Sequence, residues 1–424
     1  MRIAVVGMGH IGLPLAVQYA SRGHEVIGCD VASWIVDAIN RGESPHDDEP
    51  TLGERVPALV SAGLLRATTD DAAGVREADV VVVIVPVVVD ERREIDFGPI
   101  DAATRDIARG LQPGTTVIYE TTLPVGTTRD RFGPMLEAGS GLSLDRDFHL
   151  AFSPERVLVG RVLLDLQRYP KIVGGTSPEG TRRAVEFYRS VLAKDTEVRA
   201  VANAETAEMT KLAETTYRDV NIALANEYAR YAARRGIDVT EVIEAANSQP
   251  FSHIHAPGVG VGGHCIPVYP HFLFNDEPDL RLPPLARQIN EEMGGWAVEQ
   301  LRDRIGALDG VGVLVLGIAY RADVREDAFS SAFRIRDELR AAGATVYGHD
   351  PYFSDDHIRS LGFEPYDLTA PKAVRGAIVQ AGHAAYRSID LGAIPDLQLL
   401  IDGRNALDRS TVEASGVAYL GIGR

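Results

Sequence analysis

The first thirty residues restrict the fold of this chain more than any other stretch. Ile3 to Val6 is a short apolar run, Gly7-Met8-Gly9-His10-Ile11-Gly12 follows, and Leu13 to Ala20 reads as a helix with Pro14 in its first turn, where a missing N–H costs nothing. A second apolar run, Glu25 to Cys29, closes on Asp30, 18 residues beyond Gly12. Strand, glycine turn, helix, strand and terminal acid at this spacing form the unit that binds a dinucleotide. The helix N-terminus holds the pyrophosphate and the acid accepts hydrogen bonds from the adenosine ribose. The candidate cofactor contacts are therefore Gly7, Gly9, His10, Ile11, Gly12 and Asp30, with His10 lining the turn, together with Pro86 and Thr122 further along the chain. A carboxylate at position 30 repels a 2′-phosphate, which predicts NAD over NADP.

Later apolar runs bounded by Gly, Pro or Asp extend the pattern: Val80 to Val85, Thr116 to Tyr119, His149 to Phe152 and Ile172 to Val173. Helical segments lie between several of them, which predicts a doubly wound, mainly parallel sheet. Ligands of such sheets gather at the carboxyl ends of the strands. Pro86, Thr122, Glu155 and Arg156 follow directly on such ends. Ala204 to Arg235 contains neither Gly nor Pro and reads as one long helix, and Pro284 to Leu308 as another. Strand and helix signals resume at Val311 to Leu316, Ser330 to Ala342, Thr345 to Tyr347, Ala377 to Val379 and Leu397 to Ile401. The fold class is therefore α/β, two Rossmann-like doubly wound sheets (1–200 and 306–424) joined by a central helical region (201–305).

Charge and cysteine content remove several classes of function. A formal net charge of −17 argues against a general nucleic-acid or anionic-membrane surface, since phosphate backbones demand basic stripes. The longest apolar stretch, Val80 to Val89, is ten residues with a proline inside it, far short of a bilayer span. Two lone cysteines give neither a disulfide framework nor a metal pattern, and no secretory leader precedes the first strand, which predicts a reduced, cytoplasmic protein. Histidines 253, 255, 264 and 271 surround Cys265 in sequence but lack a second cysteine and the spacing of zinc modules, so no metal is expected. The acidic cluster Asp47, Asp48 and Glu49 reads as a solvated loop.

Cys29 lies in an apolar strand and reads as core. Cys265 follows Gly258-Val259-Gly260-Val261-Gly262-Gly263-His264, where four glycine positions leave little side chain to shield a thiol. Its residues alone admit two readings, an activated nucleophile or a small buried hydrophobe.

Seven segments in order, GMGHIGLPLA (7–16), ETTLPVGTT (120–128), SPERV (153–157), AEMTKLAETTYRDVNIALANE (207–227), GVGVGGHCIP (258–267), ARQIN (286–290) and GIAYRADV (317–324), resemble the nucleotide-sugar 6-dehydrogenases. That family includes UDP-glucose and UDP-N-acetylmannosamine dehydrogenases, and the GGHC, SPERV and YRDVNIA forms are more similar to the UDP-N-acetylhexosamine branch. The resemblance implies a four-electron oxidation of a sugar C6 alcohol by NAD through a thiohemiacetal and a thioester on Cys265. It implies that Lys211 stabilises the oxyanion or holds water, that Glu155 activates water, and that Thr122 positions it. Gly258, Gly260, Gly262 and Gly263 would bring backbone N–H groups to the substrate diphosphate, and Glu155, Arg156, Lys211, Thr215, Tyr269, Arg287 and Arg321 complete the implied substrate contacts. In some members the arginine matching Arg287 comes from the neighbouring subunit, so a homodimer is expected.

This chain also departs from the family pattern. Tyr269 stands where an aspartate is common four residues after the cysteine, Thr215 where an asparagine is usual four residues after the lysine, and Ala328 where the C-terminal motif has an arginine. Three readings stay open: a UDP-N-acetylhexosamine dehydrogenase; a dehydrogenase for UDP-glucose or another nucleotide sugar, with a possible stop at the aldehyde; and a non-catalytic NAD and sugar-nucleotide sensor.

Overall fold

The continuous apolar runs pair side by side, as strands buried on both faces must. The computed structural model describes residues 1–46, 49–90 and 92–424 and separates into two compact units, Met1–Glu214 with His271–Asp276, and Thr215–Pro270 with Glu277–Arg424. The segment 201–305 is thus shared between them.

The first unit contains β1 (Arg2–Val6), β2 (Glu25–Cys29), β3 (Leu65–Thr68), β4 (Val80–Val83), the small antiparallel hairpin β5 (Val88–Val89) and β6 (Ile95–Asp96), then β7 (Thr116–Tyr119), β8 (His149–Phe152), β9 (Lys171–Gly175) and β10 (Val198–Ala200). The main sheet runs β10-β9-β8-β7-β4-β1-β2-β3. From β3 to β8 this is the strand order of dinucleotide-binding sheets, with the switch point between β1 and β4. All its pairs are parallel except β8 with β9. Ile3, Val5, Val82, Ile118 and Ala151 from these strands join Leu13, Val17 and Tyr19 of the helix Gly12–Ala20 in one core.

The second unit holds β11 (Gly312–Leu316), β12 (Thr345–His349), β13 (Glu364–Pro365), β14 (Gly376–Val379), β15 (Leu399–Asp402) and β16 (Ala418–Gly421). Its sheet runs β13-β12-β11-β14-β15-β16 and is parallel throughout. Relabelled from its own first strand, that is the same order as in the first unit. Strand periodicity divides β11 between two cores, Val313 and Val315 on one face, Leu314 and Leu316 on the other.

The long helix spans Ala204–Arg235, as its uninterrupted run of helix formers predicts, and Leu282–Ile305 forms the second. No described helix is long and apolar enough to cross a membrane. Of the acidic cluster, Asp47 and Asp48 lie outside the described residues, and Glu49 overturns the solvated-loop expectation. It is buried and accepts N–H bonds from Val162 (2.8 Å) and Leu163 (3.3 Å), at the first turn of the helix Val162–Arg168. A carboxylate in that position satisfies otherwise orphaned helix donors.

Candidate active site

The glycine turn at the β1–β4 switch point assigns each glycine a different task. Gly7 adopts φ 94° and donates its N–H to the Cys29 carbonyl at 2.8 Å, which tightens the turn. A side chain on Gly12 would place Cβ 1.8 Å from the Gly7 oxygen, so this glycine lets the helix lie close on the strand. A Cβ on Gly9 would meet nothing within 4 Å. The protein does not itself require glycine there, which fits close approach by a pyrophosphate. The helix Gly12–Ala20 starts at Ile11, whose side chain makes no cap hydrogen bond, leaving an anion to complement that end. Asp30, half-buried at the end of β2, accepts from Met8 N and Ala32 N, each at 2.8 Å, and so fixes the loop. His10 is exposed and packs on the His46 ring at 4.3 Å, while Pro86 is exposed beyond β4. These residues fit NAD: the uncapped helix start would suit its pyrophosphate and Asp30 would accept from its adenosine ribose.

Further along the same carboxyl edge, the segment after β7 carries Thr122, which is buried. Its loop is stapled by Glu208 on the long helix, which accepts from Gly126 N (2.6 Å), Thr128 N (2.9 Å) and Thr128 Oγ1 (2.6 Å). Burial pushes the Glu208 carboxyl up to about 7 against the pull of those hydrogen bonds. One turn on, the Lys211 ammonium donates to the backbone carbonyl of Glu155. The Glu155 carboxylate accepts from Arg156 N (2.6 Å), Val157 N (3.1 Å) and Lys171 Nζ (3.0 Å). Arg156 is held by the Pro170 carbonyl (3.0 Å) and by Glu214 (3.2 Å). The first unit therefore brings Glu155, Arg156 and Lys211 into one cluster beside β8 and β9.

In the second unit Cys265 is half-buried and accepts, through its carbonyl, the Tyr269 N–H at 2.9 Å. His264 beside it is exposed and faces Glu326 at 3.6 Å. The glycine loop differs from expectation. Gly258 N donates to Asn226 (2.9 Å), Val259 N to the Gly403 carbonyl (3.1 Å) and Gly263 N to the Ala328 carbonyl (2.8 Å). The N–H groups of Gly258 and Gly263 are thus spent inside the protein and do not serve a diphosphate. Packing explains these glycines better: an added Cβ would come 2.6 Å from Arg404 at 258, 2.7 Å from Ser331 at 260, 2.8 Å from Tyr320 at 262 and 2.8 Å from Tyr320 at 263. Gly260 and Gly263 also adopt φ values of 134° and 89°. Arg404, which sequence reasoning missed, ties this loop to the sheet by donating to the carbonyls of Gly260 (3.0 Å) and Gln380 (2.7 Å).

Arg287 likewise has a different setting from the one expected of a substrate contact: it is buried and ion-paired with Asp219 at 2.8 Å. Burial raises Asp219 to about 6 despite the arginine. Asn290 donates to the same carboxylate at 2.7 Å and receives the amide of Asn226 at 2.8 Å, which completes a network under the glycine loop. Thr215 is fully buried and presents no surface to a ligand. Arg321 is exposed, donates to the Tyr320 hydroxyl at 2.9 Å and carries its guanidinium over the Tyr320 ring at 5.6 Å.

Three family models cover the chain in order. The UDP-glucose/GDP-mannose dehydrogenase family matches by its NAD binding domain over residues 1–192, its central domain over 205–292 and its UDP binding domain over 314–409. A UDP-N-acetyl-D-mannosamine dehydrogenase of Pyrococcus horikoshii is 36% identical over 438 residues, covering 100% of this chain and 99% of that protein. The chain belongs to the UDP-glucose/GDP-mannose dehydrogenase family. Among solved structures, the UDP-D-ManNAc dehydrogenase of P. horikoshii superposes with a TM-score of 0.90 at 34% identity, over 100% of this chain and 99% of that one. An NDP-N-acetyl-D-galactosaminuronic acid dehydrogenase of Methanosarcina mazei Go1 gives 0.86 at 32%, over 100% and 95%.

As a member of this family the protein is an NAD-dependent oxidoreductase with the two Rossmann-like sheets that its sequence predicts. Beyond the predicted residues, the structure adds Glu120 and Lys171, both buried and both linked to Glu155. The available signal was a lysine opening an otherwise apolar strand, Lys171-Ile172-Val173.

Proposed function

We propose that this protein oxidises the C6 alcohol of a UDP-N-acetylhexosamine, such as UDP-N-acetylmannosamine, to the uronic acid. NAD, which Gly7, Gly9, Gly12 and Asp30 would hold, would supply the hydride acceptor for two successive oxidations, a fresh molecule for each. Between them the Cys265 sulfur adds to the C6 aldehyde, and the thiohemiacetal so formed loses its hydride to give a thioester. Water then attacks the thioester, its proton passing to Glu155, and the acid leaves with regeneration of the Cys265 thiol. Lys211 offers the charge that steadies the oxyanion, and Thr122 helps place the water. Arg321 supplies exposed positive charge for a substrate phosphate.

The observation that carries this reading is the cluster at the carboxyl edge of the first sheet, where Lys211 locks the Glu155 backbone and leaves its carboxylate ionised. Burial alone would raise that carboxyl, but Lys171 beside it, with hydrogen bonds from Lys171, Glu120 and Arg156 N, holds it below the ordinary value. A base of that kind serves hydrolysis, a step a simple alcohol dehydrogenase does not need. Counting NADH formed per sugar consumed with UDP-N-acetylmannosamine, other UDP-N-acetylhexosamines and UDP-glucose tests the reading. Two per UDP-N-acetylhexosamine supports it; one means a stop at the aldehyde, and none a sensor.

The same proposal includes a cytoplasmic homodimer. Tyr217, Leu224, Tyr228 and Tyr231 are exposed on one face of the long helix, at spacings that bring them into line. Light scattering that gives one chain per particle would count against it.

A further inference from the structure

Behind the base proposed above lies a set of charges that the thioester chemistry does not by itself call for. Lys171 opens β9 with its side chain almost wholly enclosed, and its Nζ sits 3.1 Å from Glu120 Oε2 and 3.0 Å from Glu155 Oε2. Glu120 follows β7 directly and has no exposed surface; its other oxygen, Oε1, accepts the hydroxyls of Tyr19 (3.3 Å) and Tyr188. The Tyr188 ring also lies under the ammonium, 4.9 Å from Nζ. Glu155 is the least enclosed of the three, with 13% of its side chain exposed against 6% for Lys171 and 0% for Glu120. One ammonium thus faces two carboxyls in a space where an uncompensated charge is costly.

Charge counting restricts the protonation of this set. With both acids ionised the buried set would carry a net negative charge, whereas one retained proton makes it neutral. The proton belongs on the acid that has lost most solvent and gains least from its neighbours. Burial raises Glu120 most strongly, Lys171 pulls it back, and Glu155 pushes it up again, leaving it at about 7. Glu155 goes the other way, because two backbone N–H groups and Lys171 reach its oxygens.

We infer that Lys171 is a positioning residue for the hydrolytic half of the reaction: held between Glu120 and Glu155, it keeps the outer carboxylate charged and aimed, while the inner acid carries the proton that the pair shares. This rests on the assignment of Glu155 as the base for thioester hydrolysis. The attacking water gives its proton to Glu155, its oxygen bonds to the acyl carbon, and the C–S bond breaks with the electron pair going to sulfur. The groups facing the pair from neighbouring elements are Tyr19 on the first helix, Tyr188 on the helix Pro178–Val191, Arg156 after β8, and Lys211 with Glu214 on the long helix.

Three full-length variants test the inference with UDP-N-acetylmannosamine and NAD. In Lys171→Met the loss of the ammonium lifts the Glu155 pKa, so less of it is in the basic form at mildly acidic pH. The acid limb of the pH–rate profile therefore moves upward by about one unit or more. The first NADH still forms at the wild-type rate, the second half slows about tenfold at pH values on the acid side of the wild-type limb, and a uronyl adduct on Cys265 accumulates there in intact-protein mass spectra. Lys171→Arg restores the limb. Glu120→Gln, which mimics a protonated acid, keeps turnover within threefold of wild type, whereas Glu155→Gln does not.

An unchanged acid limb and no adduct in folded Lys171→Met overturn the inference while leaving the proposed function intact, provided wild type makes two NADH per sugar. If Lys171→Met fails to fold, Glu120→Gln decides: a fall as deep as that of Glu155→Gln means both acids work ionised and refutes the shared proton. A wild-type enzyme that never makes two NADH refutes the function itself, and with it this inference.

Discussion

Gly9→Ala and Gly12→Ala change the same loop by the same methyl group, yet the structure predicts opposite effects on the free protein. At Gly9 the new Cβ meets nothing within 4 Å and the backbone is not left-handed, so alanine fits without strain. The unfolded chain loses freedom, and stability should rise by about 0.4–1 kcal/mol. For a unit of roughly 200 residues that is about 1–3 °C in melting temperature. At Gly12 the Cβ would stand 1.8 Å from the Gly7 oxygen and 2.8 Å from the Ile84 side chain, so helix and strand must part. Overpacking of this kind costs about 1–3 kcal/mol or more. If Gly9 is glycine because a pyrophosphate oxygen closes on its backbone, Gly9→Ala also loses a charge-assisted hydrogen bond of about 2 kcal/mol, or about 30-fold in NAD affinity. At an NAD concentration 100 times the wild-type Kd, ligand stabilisation should drop from about 2.7 to about 0.9 kcal/mol. Thermal melts with and without NAD, with calorimetric titration of NAD, read both quantities. A Gly9→Ala protein that melts lower than wild type without NAD, or that gains the full stabilisation with it, refutes the reasoning.

Other perturbations separate chemistry from scaffold. Cys265→Ala should abolish uronic acid formation and leave the NAD Kd within about twofold, since the cofactor contacts lie in the other unit; product analysis with undiminished acid would exclude the thioester route. Arg287→Ala should cost about 3–5 kcal/mol in urea unfolding because it strands Asp219. That cost should shrink as pH falls toward 6 and level off below it, because Asp219, raised to about 6 with the arginine beside it, rises further once the arginine is gone and takes up its proton sooner. Adding Asp219→Asn should return part of the loss. Glu208, raised to about 7, favours the fold when protonated: its contribution is complete below the ordinary carboxyl range and is lost as pH rises through 7. Urea titrations from pH 5 to 8 should therefore show wild-type stability falling relative to Glu208→Gln across that window, by at most about 1.4 kcal/mol per pH unit. A gap that moves in the other direction would contradict the assigned burial cost.

The buried strands were legible because a parallel strand covered on both faces must be continuously apolar, as Val80–Val83 and Thr116–Tyr119 are. Edge strands carry no such constraint. β3 exposes Arg66 to pair with Glu77, and the two-residue β13 is too short to show a period, so neither could be read from pattern. The glycine turn, Asp30 and Cys265 were visible for local reasons. Lys171 was not, because its meaning comes from Glu120 and Glu155, 51 and 16 residues away. The same limit misled the reading of residues 258–263: the sequence shows that side chains are missing, and only the fold shows that Tyr320, Ser331 and Arg404 occupy the space.

The two sheets share a device that their sequences conceal. Gly7 N bonds the Cys29 carbonyl and Gly317 N the His349 carbonyl, each at 2.8 Å; both glycines have positive φ, 94° and 87°. Met8 N reaches Asp30 Oδ2, and Ile318 N reaches Asp350 Oδ2, again at 2.8 Å in each. From there the loops diverge. Asp30 is half-buried beside a glycine open to an approaching ligand, whereas Asp350 is buried and already holds Ala319 N at 2.9 Å and His383 Nε2 at 3.1 Å. The helix after the first turn begins at Ile11 with no side-chain cap; the helix Ser331–Ala341 is capped by Ser330, whose hydroxyl accepts Ala332 N at 3.2 Å. In the second sheet the acid that would meet a ribose is consumed by its own scaffold, and the helix end that would meet a phosphate is partly satisfied. One backbone turn therefore leaves room for a dinucleotide in the first unit, while in the second its acid and helix end are already occupied by the protein, because strand order sets where a ligand lies and the loop's spare valences decide which ligand it is.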